Sequence, residues 1–104
     1  MTGDESSDQQ ASAITFAGFV LSLAHTTAVH LGDVPDPVSG AQGEVRLEPA
    51  FQMIEILGLL EEKTRGNLTA EERQLLEQIV YELRMRFMEV QKAQTAPQSR
   101  IIIP

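Results

Sequence analysis

Two histidines, two pairs of adjacent glutamates and a few hydroxyls are the side chains here whose types could do chemistry. His25 and His30 come first, because imidazole titrates near neutrality and serves as acid, base or metal ligand. Five residues apart on a helix, they stand about 140° from each other around the axis, so they are not the i, i+4 pair that grips zinc. No Asp or Glu falls within a turn of His25, and only Asp33 is near His30. There is no cysteine, which removes thiolate metal sites, disulfides and sulfur nucleophiles. Glu61-Glu62 and Glu71-Glu72 stand at expected helix ends among counter-charges, whereas acid–base catalysis needs a carboxylate in a desolvated cleft. Ser22, Thr26 and Thr27 have no ordered base beside them, and on an apolar helix such hydroxyls bond back to the i−4 carbonyl. Gly40-Ala41-Gln42-Gly43 lacks the Lys-Ser/Thr of a phosphate-binding loop. Arg84 and Arg86, with Tyr81, form the one basic-aromatic grouping, and Glu77, Glu82 and Glu89 interleave it as in a salt-bridged exposed face. No catalytic residue, metal ligand or cofactor is expected, and the chain does not read as an enzyme.

The elements that hold these residues are all helical. Residues 13–31 predict a first helix, with Ser12 as N-cap and Gly32 as C-terminal stop. Its apolar positions, Ile14, Phe16, Phe19, Val20, Leu21, Leu23, Val29 and Leu31, fall all round the axis, so it must be covered all round. Residues 32–46 hold three glycines and two prolines and read as a loop. A second helix is predicted over 48–65, with Pro49 in its first turn and Gly66 as its stop. Phe51, Ile54, Leu57 and Leu60 make one of its faces; Met53, Ile56 and Leu59 make another. Thr69-Ala70-Glu71-Glu72 is a capping box and opens a third helix over 70–91. That helix carries Leu76, Val80, Leu83, Phe87 and Val90 at alternating spacings of four and three. The short connection predicts that the last two helices form an antiparallel hairpin.

The chain of 104 residues thus divides into a disordered acidic tail (1–11), a helical domain (12–91) and a flexible C-terminal tail (92–104). About 80 helical residues make a marginal monomeric core, which oligomerisation commonly completes. Eight basic against fifteen acidic residues give a net charge of −7, which argues against nucleic acid or an anionic membrane surface as partner. Ala13 to Leu31 is free of Asp, Glu, Lys and Arg over 19 residues, close to a membrane span, but it holds two histidines and lacks flanking basic anchors. With no signal peptide visible and no cysteine, a cytoplasmic location is expected.

The chain also resembles the bacterial family known as domain of unknown function 1844. The likeness lies in Phe16-Ala17-Gly18-Phe19-Val20-Leu21-Ser22-Leu23-Ala24, in Val29-His30-Leu31-Gly32 with the Pro35-Asp36-Pro37 loop, and in Leu60-Glu61-Glu62-Lys63-Thr64. It continues in Gly66-Asn67-Leu68-Thr69 with Glu71 and Glu72, and in Tyr81-Glu82-Leu83-Arg84-Met85-Arg86-Phe87. The resemblance implies a small cytosolic helical domain and brings no activity, cofactor or catalytic residue.

The expectation is therefore an all-α bundle of three helices completed by oligomerisation, acting as a homo-oligomeric, first of all dimeric, protein–protein interaction or scaffold module. The expected interface is Phe16, Phe19, Val20, Leu23, Phe51, Ile54 and Leu57, because an all-round apolar helix in a three-helix monomer leaves a patch that marks an interface. Ile101, Ile102 and Ile103 are a candidate motif for another protein partner. Two alternatives are a small-ligand binder or enzyme with a pocket near His25 and His30, and association with a membrane through the first helix.

Overall fold

The computed structural model describes residues 14–102, with side chains through residue 95. Three helices, α1 (Phe16–His30), α2 (Leu47–Lys63) and α3 (Ala70–Ile102), make up the fold, and no strand occurs among the described residues. The chain is all-α.

Local chemistry sets most of the boundaries. The Thr15 hydroxyl accepts the Gly18 amide at 2.9 Å, so α1 starts three residues later than predicted and Ile14 is left outside it. Ser12, the expected cap, lies outside the described residues. At the other end Gly32 turns left-handed at φ 83°. Its amide donates to Val29 O and that of Asp33 to Ala28 O, the pairing that closes a helix on a glycine. A side chain at Gly32 would also meet the Gly43 backbone and Val45 at 3.3 Å. α2 carries Pro49 in its first turn, where a missing amide proton leaves no helical bond unmade. The predicted box opens α3: the Glu72 amide donates to the Thr69 hydroxyl at 3.1 Å and the Thr69 amide to Glu72 Oε1 at 2.9 Å.

The far end of α3 differs from the expectation. The helix continues to Ile102, through residues 92–102 that read from sequence as a flexible tail. The apolar repeat stops at Val90 and residues 91–95 are exposed, so packing gives no periodic signal there. Lys92, Ala93 and Gln94 nevertheless favour helix, and the Thr95 hydroxyl bonds back to the Gln91 and Lys92 carbonyls. Pro97 removes one amide donor without ending the helix.

All three helices touch one another. One core cluster joins Val20 of α1, Leu57 of α2 and Leu76 and Val80 of α3, flanked by Phe16, Leu23, Leu60, Leu68 and Ile79. A second, toward the loop, holds Leu31, Ala50 and Val90 with Val45, Leu47 and Phe87. Leu83 packs on both. Val20, Ile54 and Leu57 are 0, 3 and 0 % exposed, which corrects their place in the expected interface. They are spent within this chain's own core and offer a partner almost no surface.

The long loop is tied down by its own polar groups. Asp36 Oδ1 accepts the amides of Val38 and Ser39, and the Gly40 amide donates to Asp36 O. From α3, Arg86 Nε and Nη2 donate to the two carboxylate oxygens of Asp33 at 2.9 and 2.7 Å, while Nη1 donates to Glu89 at 3.0 Å. These hydrogen bonds, that of Asp33 foremost, raise the guanidinium pKa above its ordinary value and fix a permanent charge over the loop.

Candidate interaction surface

The residues that could do chemistry are not brought together. His25 is exposed on α1, while His30 is half-buried in its last turn, where its carbonyl accepts the Arg46 amide at 2.7 Å. His30 lines a cleft of about 50 Å³ with Asp36, Ser39, Gln42, Glu44 and Arg46, and His25 is not part of it. That volume holds a water or two, against the several hundred Å³ of an organic-ligand pocket. Asp33, the carboxylate nearest His30 in sequence, is engaged by Arg86. Among the described residues no group of three His, Cys, Asp or Glu side chains is placed to hold a metal ion. The hydroxyls are engaged as well: Ser22 Oγ donates to Phe19 O at 2.8 Å, Thr26 Oγ1 to Ser22 O at 3.1 Å and buried Thr27 Oγ1 to Leu23 O at 2.8 Å.

What the fold does assemble is exposed hydrocarbon. Phe19 (46 %), Ile56 (47 %) and Leu59 (53 %) stand out of the body beside half-buried Leu23 and Leu60. Together with Lys63 they line a groove of about 200 Å³ between α1 and α2, and only Lys63 carries charge there. A second groove of about 270 Å³ runs between α2 and α3, lined by Phe51, Ile54, Glu55, Arg84, Phe87 and Met88. Its floor includes a tilted pair of rings, Phe51 against Phe87, with centroids 5.8 Å apart. Along the back of α3, Tyr81 (66 %), Met85 (44 %) and Met88 (59 %) make an exposed seam at spacings of four and three.

Of the residues expected at an interface, Phe16 and Leu23 are half-buried, and Phe19 and Phe51 are half-exposed on different grooves. Ile56 and Leu59 replace the buried members of α2, and Tyr81, Met85 and Met88 were not anticipated. A signal for Leu59 was present: Glu48, Gln52 and Lys63 lie eleven and seven residues before it and four after, so its stripe faces water. The side chains of Ile101 and Ile102, and Ile103 altogether, lie outside the described residues. Among the described residues no helix is long and apolar enough to cross a membrane, and α1 at 15 residues spans about 22 Å against a hydrocarbon core of about 30 Å.

No curated protein and no solved structure matches the chain. A family model does, over residues 13–89, which takes in all of α1 and α2, the loop, and α3 to one residue short of Val90. The chain belongs to the family described as Domain of unknown function (DUF1844).

Proposed function

We propose that the chain is a non-catalytic interaction or scaffold module that works as an assembly of copies of itself, with a dimer as the basic unit. One observation carries this reading. Among the described residues ten large apolar side chains are exposed by 44 to 95 %, against eight buried hydrophobic residues in the core. Seven of the ten, Phe19, Phe51, Ile56, Leu59, Tyr81, Met85 and Met88, gather in two grooves and a seam, and a chain of this size that leaves so much hydrocarbon together has unmet burial that association supplies. The reading includes an antiparallel α2–α3 hairpin, which is supported by Phe51, early in α2, against Phe87, in the middle of α3, and by Leu57, later in α2, against Leu76, nearer the start of α3. The lack of cysteine fits work in the cytoplasm.

The test is the mass of the full chain in solution at micromolar concentration, by light scattering behind size exclusion. The expected mass is an integral multiple, two or more, of 11.5 kDa. A single species of 11.5 kDa removes the reading.

A further inference from the structure

The exposed apolar surfaces are not equivalent, and charge separates them. From residue 14 to residue 32 the chain has no Asp, Glu, Lys or Arg, so the outward face of α1 carries no fixed charge. The seam on α3 is different: Tyr81, Met85 and Met88 are flanked by Glu77, Glu82 and Glu89, with Lys92 one turn beyond Met88 on the same side and Arg84 turned toward α2. A two-fold contact sets a patch against itself, so three glutamates and one lysine from each copy would have to be desolvated there, with too few cations to pair them. For a chain of net charge −7, a face whose α1 half has no fixed charge and whose groove is lined by a single cation, Lys63, is where copies meet at least electrostatic cost.

Desolvation points the same way. The polar side chains on the outer face of α1 include Ser22 and Thr26, and both have already given their hydroxyl protons to carbonyls of their own helix. Covering them strands no donor, so the usual penalty for burying a hydroxyl is largely absent. The area suits a modest contact. Phe19, Ile56 and Leu59 are each about half exposed; with half-buried Leu23 and Leu60 they offer on the order of 300–350 Å² of hydrocarbon. That is somewhat less than the roughly 450 Å² apolar share of the ~800 Å² that each partner contributes to a standard interface.

We infer that the α1–α2 face, centred on Phe19, Ile56 and Leu59, is the docking site for the same face of a second copy about a two-fold axis. The inference rests on the proposed assembly and names its contact. The α3 seam stays outside that contact, free for a partner other than the chain itself.

Sedimentation equilibrium of the full chain and three variants tests it. Phe19→Asp and Leu59→Asp each place a carboxylate at the contact, and both positions are exposed enough that the folded monomer tolerates it; helix content by circular dichroism checks that, and if one variant unfolds the other decides. Both are expected to weaken dimerisation by about a hundredfold, while Met85→Asp on α3 associates like the parent. If the parent dimerises and Met85→Asp, not the other two, abolishes it, the contact is on α3 and this inference falls while the assembly stands. If Phe19→Asp and Leu59→Asp both associate like the parent, the inference falls likewise. A monomeric parent overturns the assembly itself.

Discussion

Gly58 sits in the middle of α2, where a glycine costs about 1 kcal/mol relative to alanine. A Cβ there would lie 2.9 Å from the Arg84 guanidinium, which reaches across from α3. That obstacle is the far end of a flexible, exposed side chain, so it can move at little cost. Gly58→Ala is therefore expected to raise stability by about 0.5–1 kcal/mol, read as a higher urea midpoint at unchanged slope. A lower midpoint would mean that the seat of Arg84 over bare backbone is worth more than the helix gains. Asp36 shows a different kind of residue effect. The amides of Val38, first, and Ser39 hold its carboxylate below the ordinary value of 3.8, and the charges of His30 and Arg46 add to this. A depressed folded pKa means that the opened turn binds the proton more tightly. The stabilisation is thus complete above pH 3.8 and is lost as pH falls through the lower folded value. Amide protection at Val38 and Ser39 should drop over that window by hydrogen exchange, and Asp36→Asn, which keeps an acceptor but cannot titrate, should flatten the profile.

At the scale of elements, the capping box makes α3 the helix with the best-defined start. Thr69→Ala removes the acceptor of the Glu72 amide and should cost about 1 kcal/mol, measured as a lower urea midpoint. A loss below a few tenths would mean that α3 is nucleated by its packing at Leu76 and not by its cap. Features of this local kind were legible in the sequence: the box at Thr69, the stop at Gly32, Pro49 in a first turn, and the left-handed turn at Gly66, although α2 ends at Lys63, two residues earlier than expected. Each depends on a few neighbouring residues and on conformations that few residue types adopt. Two other features were not legible. The continuation of α3 to Ile102 leaves no apolar periodicity, because residues 91–95 touch no core. Helix α2 carries apolar residues on two faces, so its pattern tells how much surface needs cover and not which face turns inward. The expectation chose Ile54 and Leu57 for the interface, and the fold spends both on its own core. The polar stripe of Glu48, Gln52 and Lys63 was the discriminating evidence, since only a face that looks outward tolerates three such residues in line with Leu59.

At the scale of the whole molecule, charge and hydrocarbon act in opposite directions on assembly, and salt separates them. Each copy carries −7, and bringing two together raises that repulsion, which added electrolyte screens over about 10 Å at 0.1 M and about 3 Å at 1 M. The proposed contact at Phe19, Ile56 and Leu59 holds no ion pair that screening could weaken, and burial of hydrocarbon is not reduced by moderate salt. Dimerisation should therefore tighten as sodium chloride rises from about 0.05 M to about 0.5 M, because the like-charge repulsion is progressively screened over that range. An assembly held through the α3 seam in pairings such as Lys92 with a glutamate of the other copy would loosen instead, since its attraction is the screened part. Sedimentation equilibrium at the two salt concentrations reads the sign directly. A tighter dimer at high salt fits a contact held by hydrocarbon, and a weaker one requires ion pairs across the contact, which the single charge lining the α1–α2 groove, Lys63, cannot form with itself.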